Sequence, residues 1–491
     1  MARVKLEVRS SKGKAQSSKR MMMRNYFIYR KNSLLIVALW LGFALATSAQ
    51  SWPPERFGAQ GDGRTDNTEA IQQAIDSCHA QGGGVVALSL GVYLSGTLHL
   101  KSKVELHIPQ GSTLKAIPEP TAFPHIQGSI PSRMDRVPWR AFIRAEGQEN
   151  IALTGGGIID GSGEHPAFQD GKGDSPDRPY GILMIDCRNV VVKDLRMHSS
   201  AFWMQRYFHC TGVQISGLQV FNHANKNNDG LDIDSSEDVV VSDCIIDAGD
   251  DAIAIKSESE RPARNIVISN CILSSHASAL KLGTGSVGGF ENISVSNIVI
   301  RRSKSEVMRH PLNFWQGMTG IDLATTDGGA LRQVIISNVI MEDVENPIHV
   351  RLGNRRSGNI TRPDGGAVAD AQPENMSMKQ EFIFEDVMIA NVSARNTGPY
   401  PIVIAGYEGH PIRRLRLRDI RIRAGRAGKP DDLEAPVNWA PHWYPFILMY
   451  NTQLPAFGLV TNFTEDLSIE NFHAIPAEGE PRPMEWHLNR K

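Results

Sequence analysis

The sequence predicts an all-β fold, a right-handed parallel β-helix closed at one end by a short N-terminal capping helix. Two observations carry this expectation. First, a phrase of one Asn, Asp or Gly followed by an aliphatic alternation recurs: Asn150-Ile151-Ala152-Leu153, Asn189-Val190-Val191-Val192, Gly212-Val213-Gln214-Ile215, Asp238-Val239-Val240-Val241, Asn265-Ile266-Val267-Ile268 and Asn292-Ile293-Ser294-Val295. From Val190 onward its second residue returns at intervals of 23, 26, 27 and 27 residues, the length of a solenoid coil. Second, each unit holds two or three short Val- and Ile-rich stretches with period-two alternation, broken by Asn, Asp, Gly or Ser and without helical periodicity. The Leu-dominated frame of a leucine-rich repeat is absent, so strands one coil apart are expected to stack at the ordinary strand spacing with an aliphatic ladder inside.

Taken in chain order, residues 1–49 read as an extension and signal peptide. Arg24 to Lys31 is basic, Leu34 to Ala46 is almost wholly apolar, and Thr47-Ser48-Ala49 offers a small-residue cleavage site. The apolar run is shorter than the roughly 20 residues that span a bilayer, so export to the periplasm or the medium is expected, with no stable membrane association afterwards. A single β-helix domain is expected over 50–480 and a tail over 481–491. Asp66-Asn67-Thr68-Glu69 before an amphipathic stretch from Ala70 reads as a capping-box helix start, and that helix would shield the open strand edges. Asn270 and Asn297, in equal phase, suit left-handed turn positions. The repeat resumes at Val334-Ile335-Ile336, Phe382-Ile383-Phe384, Leu415-Arg416-Leu417 and Leu467-Ser468-Ile469. Between these phrases lie polar or aromatic insertions near 352–379 and 425–445, the second carrying Trp439, Trp443 and Tyr444. Loops on a rigid solenoid either flank its binding face or cover a sheet edge.

A net charge of -1 in 491 residues excludes a global bias toward nucleic acid. Five cysteines, Cys78, Cys187, Cys210, Cys244 and Cys271, fall in repeat phase, as stacked core thiols would; one disulfide among them stays open. Gly283-Thr284-Gly285-Ser286-Val287-Gly288 matches the dinucleotide fingerprint, but another repeat strand follows it where a helix is required.

The residues suited to chemistry are Asn227-Asn228-Asp229-Gly230 and Gly249-Asp250-Asp251, about one coil apart, which should bring three carboxylates together. Such crowding raises the pKa of at least one acid, and a protonated acid beside an ionised base is what glycoside hydrolysis requires. Asp and Asn also form ordinary turns, and clustered carboxylates also suit calcium. No Cys and His spacing suggests zinc, so no metal and no cofactor are expected.

These motifs, with Phe57-Gly58-Ala59, the Gly61 to Thr68 stretch and Phe202-Trp203, resemble glycoside hydrolase family 28, the polygalacturonase and rhamnogalacturonan hydrolase family, over about residues 55–345. The resemblance implies an inverting hydrolase in which Asp250 is the general acid, Asp229 and Asp251 activate water, and His276 supports the acid. Two departures accompany it: the family's Gly-His-Gly reads Ser275-His276-Ala277, and its Arg-Ile-Lys is replaced by a coil reading Thr319-Gly320-Ile321-Asp322-Leu323-Ala324. Asp322 would repel a uronate there. Asn227, Lys256 and Lys281 are the candidate substrate contacts, the two lysines being able to replace the lost charge or to be solvated surface groups. The expected partner is a pectin, galacturonan or rhamnogalacturonan chain, met by a monomer. A rhamnogalacturonan hydrolase, a calcium-dependent lyase and a non-catalytic carbohydrate-binding β-helix are the alternatives.

Overall fold

The computed structural model describes residues 51–133, 139–169, 177–307, 317–355, 381–490. The signal-peptide reading and almost all of the first expected insertion lie outside those residues. What is described is a parallel β-helix. Every strand pairing between successive coils is parallel, and the strands form three faces that turn around one aliphatic core.

The repeat phrase forms the ladder that holds the coils in register. Ile151, Val190, Val213, Val239, Ile266, Ile293, Val334, Val387 and Leu415 stack in order. The residue before each takes a left-handed backbone, from Asn150 at φ 55° through Asn189, Asp238, Asn265 and Asn292 to Asp386 at φ 56°. Asn and Asp tolerate that conformation better than other side chains. Asn270 and Asn297 are left-handed as well, each at φ 57°, and the Asn297 amide donates to the Asn270 side chain at 3.1 Å. One reading of the repeat is corrected: Phe384 pairs with Leu331, and Val387, after the left-handed Asp386, takes the ladder position expected of the Phe382-Ile383-Phe384 phrase.

At the N-terminal end, helix α1 (Thr68–Ala80) buries Ile71, Ala74, Ile75 and Cys78 against the core. The capping box does not form. Asp66 accepts the Thr68 amide at 2.9 Å, while the Asn67 side chain turns away to Gln60. All five cysteines are free and buried, filling core volume as small apolar residues do. At the other end the solenoid continues past residue 480: Glu485–Arg490 is a strand paired with Leu459–Glu465, where a tail was expected.

The face that matters for function is built by Tyr180–Ile185, Gln205–Phe208, Leu231–Asp234, Ile253–Ser257, Ser278–Ser286, Thr319–Thr325 and Asn346–Leu352. Alternation sends every second residue outward. One outward column runs Arg206, Asp232, Ala254, Lys281, Asp322, His349 in strict register.

Candidate active site

The acidic motifs lie at the corner where the chain enters this face. Asn227 takes a left-handed backbone at φ 53°, and its side chain accepts from Arg178 at 3.1 Å. Asn228 is buried, and its amide donates to the carbonyls of Ser200 and Phe202 at 2.9 and 2.8 Å. The Asp229 carbonyl accepts from the Met204 amide and the Asn222 side chain at 2.9 and 3.1 Å. Gly230 packs so tightly that a Cβ there would lie 2.7 Å from the Ala252 carbonyl oxygen. This turn is therefore fixed by its own asparagines and glycine, which leaves the Asp229 carboxyl in one position.

Asp229 is 2% exposed. Lys256 stands 3.2 Å from its carboxyl and 2.8 Å from that of Asp232, with its ammonium 4.2 Å from the centre of the Trp203 ring. Burial, with the charge of Asp232, pushes the Asp229 carboxyl well above the usual carboxylate range; Lys256 opposes this, and Asp250 and Asp251 add to it. Burial likewise raises Asp232, to about 7, against the pull of Lys256. Two buried acids that share one ammonium thus retain a proton into the neutral range. On the next coil Asp251, also buried, accepts from Lys281 at 2.8 Å and from the Ser278 amide at 3.2 Å.

Asp250, between these groups, is half-buried, unlike its two neighbours in the triad. Its amide donates to the Asn228 carbonyl at 3.4 Å, and its carbonyl accepts from the Ser275 hydroxyl. The two motifs are thereby joined through backbone.

His276 is fully buried, edge-on to His223 with ring centres 5.0 Å apart. Burial, then the neighbouring His223, lowers its imidazole to about 4, so it is neutral at ordinary pH. His223 donates to Asp247 at 2.8 Å, and Ser303 donates to the same carboxylate at 2.6 Å. Burial opposes the Asp247 charge, but these bonds and the Lys304 amide hold its carboxyl below the usual range.

The coil that departs from the Arg-Ile-Lys pattern is internally satisfied. Asp322 accepts from His349 at 2.9 Å and from Ser278 at 3.2 Å, and the second nitrogen of His349 lies 3.0 Å from the Tyr450 hydroxyl. One coil on, Arg351 spends its guanidinium on the carbonyls of Gly406, Trp439 and Ala440 at 3.1, 3.0 and 3.1 Å.

Of the residues singled out in the sequence, Asp229, Asp251, Lys256 and Lys281 are thus linked in pairs, Asp250 adjoins them and Asn227 holds the turn. Both lysines are buried against carboxylates, 6% and 7% exposed, which removes the reading of them as solvated surface groups. Sequence reasoning passed over Asp232, His223, Asp247, His349 and Tyr450. Asp232 was legible, because period-two alternation in Leu231–Asp234 turns it outward beside Asp229. Tyr450 reaches His349 from 101 residues away, and no local pattern announces that contact.

The family profile described as Glycosyl hydrolases family 28 matches residues 104–433. A probable polygalacturonase of Arabidopsis thaliana is 27% identical over 393 residues, 78% of this chain and 76% of its own length. A probable polygalacturonase of Vitis vinifera is 28% identical over 226 residues, so the match spans 44% of this chain and 46% of that protein. Among solved structures, the family 28 exopolygalacturonase of Yersinia enterocolitica superposes with a TM-score of 0.65 at 20% identity, covering 91% of this chain and 79% of that one.

Proposed function

Since this chain belongs to glycosyl hydrolases family 28, we propose that it hydrolyses galacturonosyl linkages of a pectin-type polysaccharide with inversion, through Asp250, Asp229 and Asp251. The observation that carries this reading is the unequal treatment of three neighbouring acids. Asp229 and Asp251 are buried and face ammonium groups, whereas Asp250 is half-buried. Asp250 gives its proton to the glycosidic oxygen as the bond breaks. Asp251, and Asp229 above the pH at which it ionises, orient a water and take its proton as it attacks the opposite face of the sugar. A neutral His276 favours the acid, because an imidazolium in its place would stabilise the Asp250 carboxylate and so weaken it as a donor.

The site reads less well as a lyase. Lys256 and Lys281 already occupy the carboxylates that a calcium ion would need, and the only imidazole among the candidate catalytic residues is His276.

For the sugar on the Asp322 side, a second reading within the family has an observation of its own. Asp322 and His349 form a buried pair on the coil where the family's Arg-Ile-Lys is replaced, which favours a neutral sugar there, as in rhamnogalacturonan. The expectation of export stands beside this function, since such polymers lie outside cells; among the described residues no helix is long and apolar enough to cross a membrane.

The test is incubation of the purified protein with homogalacturonan and with rhamnogalacturonan, reading reducing ends and ultraviolet absorbance together. Reducing ends without absorbance are expected. An absorbing, unsaturated product would replace the hydrolase with a lyase, and binding without any product would make the chain a carbohydrate-binding solenoid.

A further inference from the structure

We propose that a groove beside the catalytic corner, built by Lys115, Asp160, His198 and Phe221 on a face other than the one that carries the aspartates, binds a neutral sugar of the polysaccharide. The proposal rests on the hydrolase reading above for the identity of the polymer and adds a second place where that polymer is held.

The four residues stand on successive rungs of one outward column, Lys115, Asp160, His198, Phe221, and the next rung is Asp247. Each points away from the core, since its neighbours Leu114, Ile159, Met197 and Val220 fill it. Glu164 and His165, on the chain that leaves the strand Ile158–Asp160, complete a groove of about 520 Å³. That volume lies within the range of small-molecule clefts, about 300–1,000 Å³. At about 4.8 Å per rung the column is roughly 14 Å long.

Phe221 is 45% exposed, and no other Phe, Tyr or Trp among the described residues is as open to solvent. The ring forgoes the burial that the other aromatics gain. It is nevertheless held in place, packed against His223 with ring centres 4.8 Å apart. His223 in turn lies edge-on to His276 at 5.0 Å and donates to Asp247, and a Cβ on Gly249 would come within 3.4 Å of its Nδ1. The exposed ring is thus joined through His223 to the turn that carries Asp250. A fixed aromatic ring open to water is a platform on which the C–H face of a sugar can stack.

The polar groups around this ring suit hydroxyls and not a carboxylate. Asp160 accepts from Lys115 at 2.9 Å and from the Ser162 amide at 2.9 Å, and Glu164 accepts from the Ser199 hydroxyl at 3.2 Å. Two carboxylates therefore share the groove with one ammonium, which Asp160 already holds. A uronate entering it would add a third negative charge, whereas sugar hydroxyls can donate to the carboxylate oxygens. The His198 Nδ1 lies 3.4 Å from the Ser199 hydroxyl; its Nε2, like the second oxygen of Glu164, has no hydrogen-bond partner among the described residues. A 6-deoxyhexose such as rhamnose, with a methyl group for Phe221 and hydroxyls for these atoms, matches the groove.

The experiment titrates the Asp250→Asn protein with rhamnogalacturonan oligosaccharides and with galacturonate oligosaccharides of equal length, following the ring signals of Phe221 and His198 by NMR. The rhamnose-containing series should shift both signals and the galacturonate series neither. Phe221→Ala in the same background should bind the first series about tenfold more weakly at an unchanged melting temperature, while Phe221→Tyr keeps the ring and the affinity. Ring signals that stay in place with the rhamnose-containing series, or move as far with galacturonate alone, would overturn the proposal, as would a folded Phe221→Ala protein of equal affinity. Release of reducing ends by the wild-type chain is recorded alongside. Its absence while the ring signals respond would remove the hydrolase reading and leave the groove, and its presence with silent ring signals would do the reverse.

Discussion

Replacing Lys256 by Met removes the one ammonium that two buried carboxyls share. In the native site this ammonium lies 3.2 Å from Asp229 and 2.8 Å from Asp232. At an effective dielectric of about 20, an ion pair at that separation is worth about 5 kcal/mol, and each ~1.4 kcal/mol corresponds to one pH unit. Water entering the vacated space offsets part of this, so a shift of about two units or more is expected in the pH above which Asp229 ionises. The direction follows from the site: burial and Asp232 already raise Asp229, and Lys256 opposes them. The acid limb of the kcat/KM profile should therefore move to higher pH, with activity recovered in alkaline buffer. Stability should fall by about 3–5 kcal/mol, the usual consequence of orphaning buried charge. That loss should be largest at alkaline pH and shrink on acidification, because carboxyls whose folded pKa is raised gain stability as they protonate. Urea titrations at two pH values and a rate profile measure both effects. An acid limb that stays in place in a folded Lys256→Met protein would refute the coupling.

Three further outcomes follow from particular contacts. His223→Gln removes the ring that, after burial, does most to depress His276 and leaves Asp247 uncompensated beside it, so the His276 titration should rise from about 4 toward its ordinary value. Adding Asp247→Asn should bring it back down; a His276 NMR titration unmoved in both variants would show that the pair does not act on it. Arg351→Met strands the carbonyls of Gly406, Trp439 and Ala440, so stability should fall by about 3 kcal/mol and proteolysis within 434–445 should accelerate, whereas unchanged cleavage would show that this segment holds without that clamp. Exhaustive treatment with chelator should leave the rate unchanged, since ammonium groups already balance Asp229 and Asp251; activity that is lost with chelator and restored by calcium would contradict this.

The coil and its register were legible because a β-helix repeats its physics. Each coil needs a left-handed residue ahead of an aliphatic one, so Asn189, Asp238, Asn265 and Asn292 announce themselves at a fixed phase. The same periodicity placed Asp229 and Asp251 on adjacent coils. It went wrong where an insertion resets the phase, as at Phe382-Ile383-Phe384, and where local chemistry has two solutions, as at α1, whose first turn is served by Asp66 in place of the expected capping box. Charges were harder still to read. An outward lysine in a strand looks the same in sequence whether it meets water or a carboxylate, and Lys256 and Lys281 meet the carboxylates of Asp229 and Asp251. The two outer apolar clusters join residues from Ile130 to Phe208 and from Ala277 to Val460, separations at which single-sequence patterns carry no information.

The central claim is that Asp250 protonates the leaving oxygen while water attacks from the opposite face. It is tested most directly by proton NMR of the first turnovers on the pectin polymer that is cut, with Asp250→Asn run alongside. An initial product of inverted anomeric configuration is expected, together with a fall in kcat of about 10²- to 10⁴-fold in the variant at an unchanged melting temperature. Retained configuration, or a folded variant as active as the native chain, would contradict it.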